Sequence, residues 1–244
     1  MKRSEKIMSW MGRWFGDHGR KTAVLGISGG KDSAVVAGLC RQVLGPEQVF
    51  GVLMPNGVQS DIEDSRRVVE ALGIRHGATN INGAYEAVLA CVQEVLGAAP
   101  SEGAMINVAP RLRMTILYAV AQTLSEREGA GACVVGTGNR GEAEVGYTTK
   151  WGDSACDVNP IRDLWVHEVI EVGDELGYVP EIVHKKPADG LCGQTDEARM
   201  GFTYDEVHRF FTGGPVDVEH RAKIQARHEA SRHKREEIPH FENH

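Results

Sequence analysis

The sequence predicts an α/β fold: a mostly parallel sheet with helices on both faces. Three observations predict it. Short apolar, β-branched runs alternate with longer segments of helical apolar spacing, and that alternation means parallel crossovers. The strand runs are apolar throughout, as strands covered on both faces are. The 29 glycines have no Gly-X-Y period, so they suggest Gly-rich loops at strand–helix junctions and exclude a collagen-like chain.

The elements follow in order. Ser4 can cap a first helix with Ile7, Met11 and Trp14 on one face and Gly16 as its stop. Thr22–Ile27 reads as a buried strand, Ser28–Ser33 as a Gly-rich turn, and Ala34–Leu44 as a helix ending at Gly45-Pro46. Val49–Met54 is the next strand. Ser60 can cap a helix carrying Ile62, Val69 and Leu72, with Gly73 as its stop. Pro110 is placed at a helix start, ahead of a stripe of Leu112, Ile116, Ala119, Val120 and Thr123. Cys133–Gly136 is a strand and Val166–Leu176 a helix. Thr203 and Glu206 form a capping box before Val207, Phe210 and Phe211, with Gly213-Gly214-Pro215 as terminator. The stretch 216–244 is polar and His-rich, and is expected to be a peripheral, mobile tail. All of 1–244 is expected to form a single domain.

Composition excludes several classes. Hydrophobic residues make up 41% and charged residues 25%, so the chain is globular rather than disordered. A net charge of −7 argues against a nucleic-acid partner. No apolar run is long enough to cross a bilayer. Met1–Lys6 is charged, but Trp10, Arg13 and Trp14 interrupt any apolar region behind it, so no export signal or membrane partner is expected and the cytoplasm is. The five cysteines include no Cys-x-x-Cys pair, which points away from disulfide frameworks and thiolate zinc sites. Six of the ten histidines follow residue 204, without the spacing of a metal tract.

The sharpest segment is Gly26-Ile27-Ser28-Gly29-Gly30-Lys31-Asp32-Ser33, between a buried strand and a helix. Gly29 and Gly30 let bare amides approach an anion. The helix N-terminus adds unpaired N–H groups and the positive end of its dipole. Ser28 and Ser33 add hydroxyls. Asp32 is unfavourable beside phosphate unless a cation lies between them, so the loop reads as a di- or triphosphate cradle with a Mg²⁺ ligand. This segment has neither the Gly-x-x-x-x-Gly-Lys-Ser/Thr spacing nor that of the Gly-x-Gly-x-x-Gly dinucleotide fingerprint.

Ser-Gly-Gly-x-Asp-Ser resembles the pyrophosphatase loop of the N-type ATP pyrophosphatases, which share a Rossmann-like, doubly wound α/β fold and cleave ATP to AMP and pyrophosphate. Further segments narrow the resemblance. Val52–Asp64, Asn107–Met114, Gly136–Glu142, Gly146–Asp153, Cys156–Pro160, Lys186-Pro187, Asp189–Leu191, Gln194–Glu197 and His233-Lys234-Arg235 resemble the ammonia-dependent NAD synthetases over nearly the whole chain. The resemblance implies an ATP-handling core over about residues 20–200. It implies amidation of deamido-NAD by ammonia through an NAD-adenylate. It implies catalytic and Mg²⁺-binding roles for Asp32 and Glu142. ATP contacts fall on Gly26, Ile27, Ser28, Gly29, Gly30, Lys31, Asp32, Ser33, Thr137 and Lys186. Deamido-NAD contacts fall on Arg111, Lys150, Asp157, His233 and Lys234.

Two positions depart from the family pattern. Val166 stands where many members carry a phosphate-contacting lysine, and Ala188 where they carry Thr or Ser. Lys31, Lys185 or Lys186 are the candidates to supply that charge. Two alternatives stand beside the main reading: another ATP pyrophosphatase, chiefly an RNA-modifying enzyme, and a nucleotide-sensing module without catalysis. The acidic balance weighs against the first, and the pair Asp32 and Glu142 against the second. The synthetase half takes up the 244 residues, leaving free ammonia as the expected nitrogen source. The resemblance also implies a homodimer. The helix placed after Pro110 is apolar around most of its circumference from Leu112 to Ala121, so it needs burial on more than one face. A partner subunit can cover the second face, or the first helix with Trp10, Met11 and Trp14.

Overall fold

The computed structural model describes residues 1–58, 62–185 and 195–242. Ser60, Lys186 and Ala188, singled out above, lie outside them. The elements run α1 (Arg3–Asp17), β1 (Arg20–Gly26), α2 (Lys31–Leu44), β2 (Val49–Leu53), α3 (Ile62–Leu72), β3 (Arg75–Ala78), α4 (Asn82–Leu96), α5 (Glu102–Glu128), β4 (Gly131–Val134), α6 (Arg140–Glu144), α7 (Val166–Leu176), α8 (Pro180–Val183), α9 (Asp196–Met200), α10 (Tyr204–Thr212) and α11 (Val218–Ala230).

The four strands are parallel in the order β3-β2-β1-β4. Winding proceeds from β1 outward to β3 and then reverses to β4. The reversal leaves a crevice at the carboxyl ends of β1 and β4, where ligands of such sheets bind. Alternate residues serve opposite faces. Ala23, Leu25 and Cys133 face a core built with Met11 of α1, Val36 of α2, Leu72 of α3 and Val169 of α7. Val24 and Val134 face Met114, Leu117 and Ala121 of α5. Helices therefore cover both faces, as expected.

Several local expectations are corrected. The first helix is capped at Lys2, whose N–H donates to Glu5 Oε2 at 2.9 Å. Ser4 is already helical and buried, and its N–H goes to Glu175 of α7 at 2.7 Å, a tertiary bond outweighing a local cap. Gly16 does not stop the helix, which runs on to Asp17. Pro110 is inside α5, not at its start. The cap is Ser101, whose side chain accepts from Ala104 N–H at 3.3 Å. An interior proline costs about 3 kcal/mol. Tertiary contacts hold this one in place: Pro110 packs against Gly152, and Asn107 Oδ1, one turn earlier, accepts from Thr149 Oγ1 at 2.6 Å.

Two elements carried no clear signal. The edge strand β3 is Arg-His-Gly-Ala, without an apolar run, and its Arg75 pairs with Glu128 at 2.6 Å. The helix α4 is apolar in composition yet buries none of its residues. The tail is not peripheral from 216 onward. Ile224 of α11 is fully buried, in a third cluster with Val145, Trp165, Phe202, Tyr204 and Val207. Burying such a side chain contributes roughly 1.5–3 kcal/mol, enough to dock an otherwise polar helix.

Candidate active site

The chain leaves β1 into the Gly-rich loop. Gly29 has φ +79°, a conformation that costs a residue with a Cβ. Ser33 ties the loop to itself: its hydroxyl donates to Gly30 O at 3.0 Å, lies 3.1 Å from Ser28 Oγ, and accepts from Ser28 N–H at 3.2 Å. The amides of the first turn of α2 face the crevice beyond. Lys31 is buried, and its ammonium meets Asp32 Oδ2 at 3.0 Å. Burial alone would depress that ammonium, but Asp32 and Glu142 outweigh it and hold the pKa above its usual value, so Lys31 stays charged.

The second half of the site comes from the chain after β4. Asn139 caps α6: its side chain accepts from Glu142 N–H at 3.1 Å, and Glu142 Oε2 accepts from Asn139 N–H at 2.9 Å. Asn139 Nδ2 also donates to Asp32 Oδ1 at 3.3 Å, so the two carboxylates meet across this one residue. Burial, then the Asp32 charge, raises the Glu142 carboxyl well above the usual carboxylate range. Among the described residues no group of three or more His, Cys, Asp or Glu is arranged to hold a metal by itself. Two crowded carboxylates, one of them met by Lys31, beside a Gly-rich loop fit the way Mg²⁺ is bound: by one or two carboxylates and substrate phosphates.

A cavity of about 410 Å³ opens over these groups. Gly26, Ile27, Ser28, Gly29, Gly30, Lys31, Asp32, Thr137 and Glu142 all line it, as the sequence suggested. Ser33 does not; it braces the loop from behind. Val166 packs into the third cluster and does not reach the cavity, whereas Lys185 lines it, its ammonium paired with Asp64. Sequence reasoning missed Asn56, Arg113, Asp153, Asp196 and Tyr204, all on the cavity wall. Asn56 Oδ1 is buried with no hydrogen-bond partner. The Tyr204 hydroxyl bonds Asp196 Oδ2 at 3.4 Å. Its one sequence signal was the Thr203–Glu206 capping box, which makes Tyr204 the first residue of α10.

The five residues expected to meet the dinucleotide do not line the cavity. Four gather on the outer flank of α5. Arg111 Nε donates to Lys150 O at 3.3 Å and Lys150 Nζ to His233 O at 2.6 Å. Lys234 Nζ donates to Gly146 O at 2.8 Å and Thr148 O at 2.6 Å. Asp157 lies apart from them, accepting from Val134 N–H at 2.7 Å and from the Tyr118 hydroxyl at 3.4 Å. Burial, then Asp157, pushes the Tyr118 hydroxyl up to about 12.

A parallel sheet whose first strand opens into an anion cradle, faced by paired carboxylates at the switch point, defines an α/β protein built to handle a nucleotide's phosphates. The sequence profile of the NAD synthase family matches residues 4–241, and the chain belongs to that family. It is 36% identical over 242 residues to an NH(3)-dependent NAD(+) synthetase from Carboxydothermus hydrogenoformans, covering 98% of this chain and 97% of the relative. Among solved structures, an NMN synthetase from Francisella tularensis overlays with a TM-score of 0.87 at 35% identity, covering 98% of this chain and 97% of that one. An NH3-dependent NAD synthetase from Campylobacter jejuni overlays with a TM-score of 0.78 at 25% identity, with the same coverage.

Proposed function

We propose that the chain is a ligase that amidates deamido-NAD with ammonia, giving NAD, AMP and pyrophosphate. The observation that supports this best is the cradle itself: Asp32 in the phosphate loop and Glu142 after β4 meet through Asn139 at one cavity, in a chain matched over 4–241 by the NAD synthase family.

A carboxylate resists attack by ammonia because its oxygen leaves poorly. In the proposed reaction a nicotinate oxygen attacks the α-phosphorus of ATP, and the bond to the β-phosphate oxygen breaks, releasing pyrophosphate. Ammonia then attacks the carbonyl carbon of the acyl-adenylate, AMP departs with the bonding electron pair, and a proton passes to solvent. Catalysis of this kind is mainly positioning and charge neutralisation. The Ser28–Ser33 loop and the first turn of α2 orient the phosphates. Lys31 and Lys185 bring positive charge where the family's lysine is Val166 here. Asp32 and Glu142 would hold Mg²⁺, which when bound would offset negative charge on the phosphates. Arg111, Lys150, His233 and Lys234 receive the anionic dinucleotide on the outer flank, while Asp157, apart from them beside Tyr118, offers a further contact.

The same reading includes a homodimer. α1 packs with α2 and α7 on the opposite face of the sheet, so it does not cover α4 and the outer flank of α5. There Val95 and Leu96 are exposed and Tyr118 is 38% exposed, an apolar surface a second subunit would cover. A reaction that consumes ATP and a water-soluble dinucleotide belongs in the cytoplasm.

A second acceptor is favoured by one observation, the close overlay on an NMN synthetase. Nicotinate mononucleotide carries the same carboxylate without the adenylate half. The deciding experiment gives the purified chain ATP, Mg²⁺ and ammonium with each acceptor. Expected are equal amounts of NAD, AMP and pyrophosphate from deamido-NAD, a rate that rises with pH as free ammonia increases, and no product from glutamine alone. A higher kcat/KM for the mononucleotide moves the assignment to that acceptor. Pyrophosphate release only with tRNA, or none at all, overturns the proposal.

A further inference from the structure

We infer that Asn139 is a positioning residue for the reaction: its buried side-chain amide fixes Asp32 and Glu142 relative to each other, and thereby sets the cation affinity of the site. The inference rests on the reading of those two carboxylates as the metal ligands.

Asn139 is 1% exposed and sits where the connections after β1 and β4 meet. Its polar groups are spent inside the site. Oδ1 accepts from Glu142 N–H at 3.1 Å, the backbone N–H donates to Glu142 Oε2 at 2.9 Å, and Nδ2 donates to Asp32 Oδ1 at 3.3 Å. Capping α6 needs only the first of these, and Ser, Thr or Asp would supply it about as well. The third is not a capping contact. It joins the first turn of α2 to the cap of α6, 107 residues later. Among the preferred capping residues only Asn carries both an acceptor for the helix and a donor for a carboxylate: Ser and Thr are too short, and Asp would add a third negative charge. The backbone leading into Asn139 is itself held, because Asn159 Nδ2 donates to Gly138 O at 3.0 Å.

The electrostatic consequence is specific. Two like charges brought together in a half-buried cleft repel. The neutral N–H donors of Asn139 hold both in place and add no charge of their own; Lys31 offsets part of the Asp32 charge at Oδ2, and a cation would answer the remainder. Groups that orient ligands in this way are worth about 10–100-fold in metal affinity when removed.

The test uses the full chain and Asn139→Ser, which keeps a capping oxygen and the backbone N–H but loses the amide link. Mn²⁺ binding is followed by electron paramagnetic resonance in the presence of α,β-methylene-ATP, which resists cleavage at the α-phosphate, alongside amidation kinetics. Expected for the variant are a Kd for Mn²⁺ raised about tenfold or more, a matching rise in half-saturating Mg²⁺, a lower kcat and an unchanged KM for deamido-NAD. Asn139→Thr, which caps similarly, carries the test if the Ser variant does not fold. Cation affinity and kcat equal to the parent, with only a lower melting temperature, overturn the inference while leaving the functional reading intact. A parent chain that binds Mn²⁺ and nucleotide but makes no amide sinks the functional reading instead, and the Asn139 comparison still reads out.

Discussion

The two flanks of α5 handle charge in different ways. On the inner flank Pro110, Arg113, Met114 and Leu117 wall the cavity, and the acids and bases there are locked onto one another: Lys31 on Asp32, Asp32 on Asn139, Asn139 on Glu142. On the outer flank Arg111, Lys150 and Lys234 are tied to backbone carbonyls. A carbonyl fixes a cation in space without neutralising it. Burial, with Arg227 and Arg111 nearby, depresses the Lys234 ammonium, against the opposing pull of Asp153. In the proposed function the inner flank takes the ion and the phosphate chain, and the outer flank offers its uncancelled positive charge to the dinucleotide.

The comparison breaks most severely on the inner flank. Asp32→Asn keeps the fold, since Asn matches Asp in shape in the first turn of α2, and lowers kcat by about two to three orders of magnitude, the scale on which loss of one preorganised electrostatic group is felt. Glu142→Gln behaves alike, and steady-state kinetics at saturating Mg²⁺ check both. Near-normal turnover there removes the distinction between the flanks. Next in size is the outer flank: Lys234→Met raises the KM for deamido-NAD roughly tenfold or more, the worth of one charged hydrogen bond, and leaves the KM for ATP unchanged. Tyr118→Asp yields monomers in sedimentation and raises the KM for deamido-NAD more than that for ATP. Leu117 is no substitute in that test, because it is buried against the sheet and the cavity.

The smallest effect sharpens the role of the carboxyl-terminal helices. Burial raises the Glu206 carboxyl, but bonds from His220 at 2.7 Å and from Thr203 overcome it and hold it below the usual carboxylate range. The folded state therefore favours the carboxylate. Its stabilisation is present above the ordinary glutamate value of about 4.3 and is lost as pH falls through the lower folded value. Glu206→Gln costs about 1 kcal/mol at neutral pH, a shift of about 2–4 °C in Tm for a chain of this size, and thermal melts show the deficit fading in acid.

The phosphate loop was legible because its chemistry is local: two glycines, two serines and an acid between strand and helix need no partner to be recognised. The strands β1, β2 and β4 were legible for the same reason, each being a short apolar run, whereas β3 has no such run. What failed was set by distant contacts. Pro110 signals a helix start on its own, but the Ser101 cap and the packing on Gly152 carry α5 through it. Ile224 stands alone in a polar segment, and only the cluster formed with Trp165 and Val207 shows that the segment docks. Asn139 stood inside the Gly136–Glu142 segment without a role of its own, because its bond to Asp32 reaches a residue 107 positions away.

One close contact governs when such a site comes into being. Gly146, at φ +63°, lies so near Ser231 that a Cβ there would stand 2.1 Å from the serine's, and Lys234 clasps the same loop from 88 residues away. A domain generally folds as a unit, and this contact shows why the outer flank cannot assemble piecemeal. Gly146 precedes the lysine that pins it by 88 positions, so the loop takes its shape only once α11 has docked and brought Ser231 and Lys234 against it.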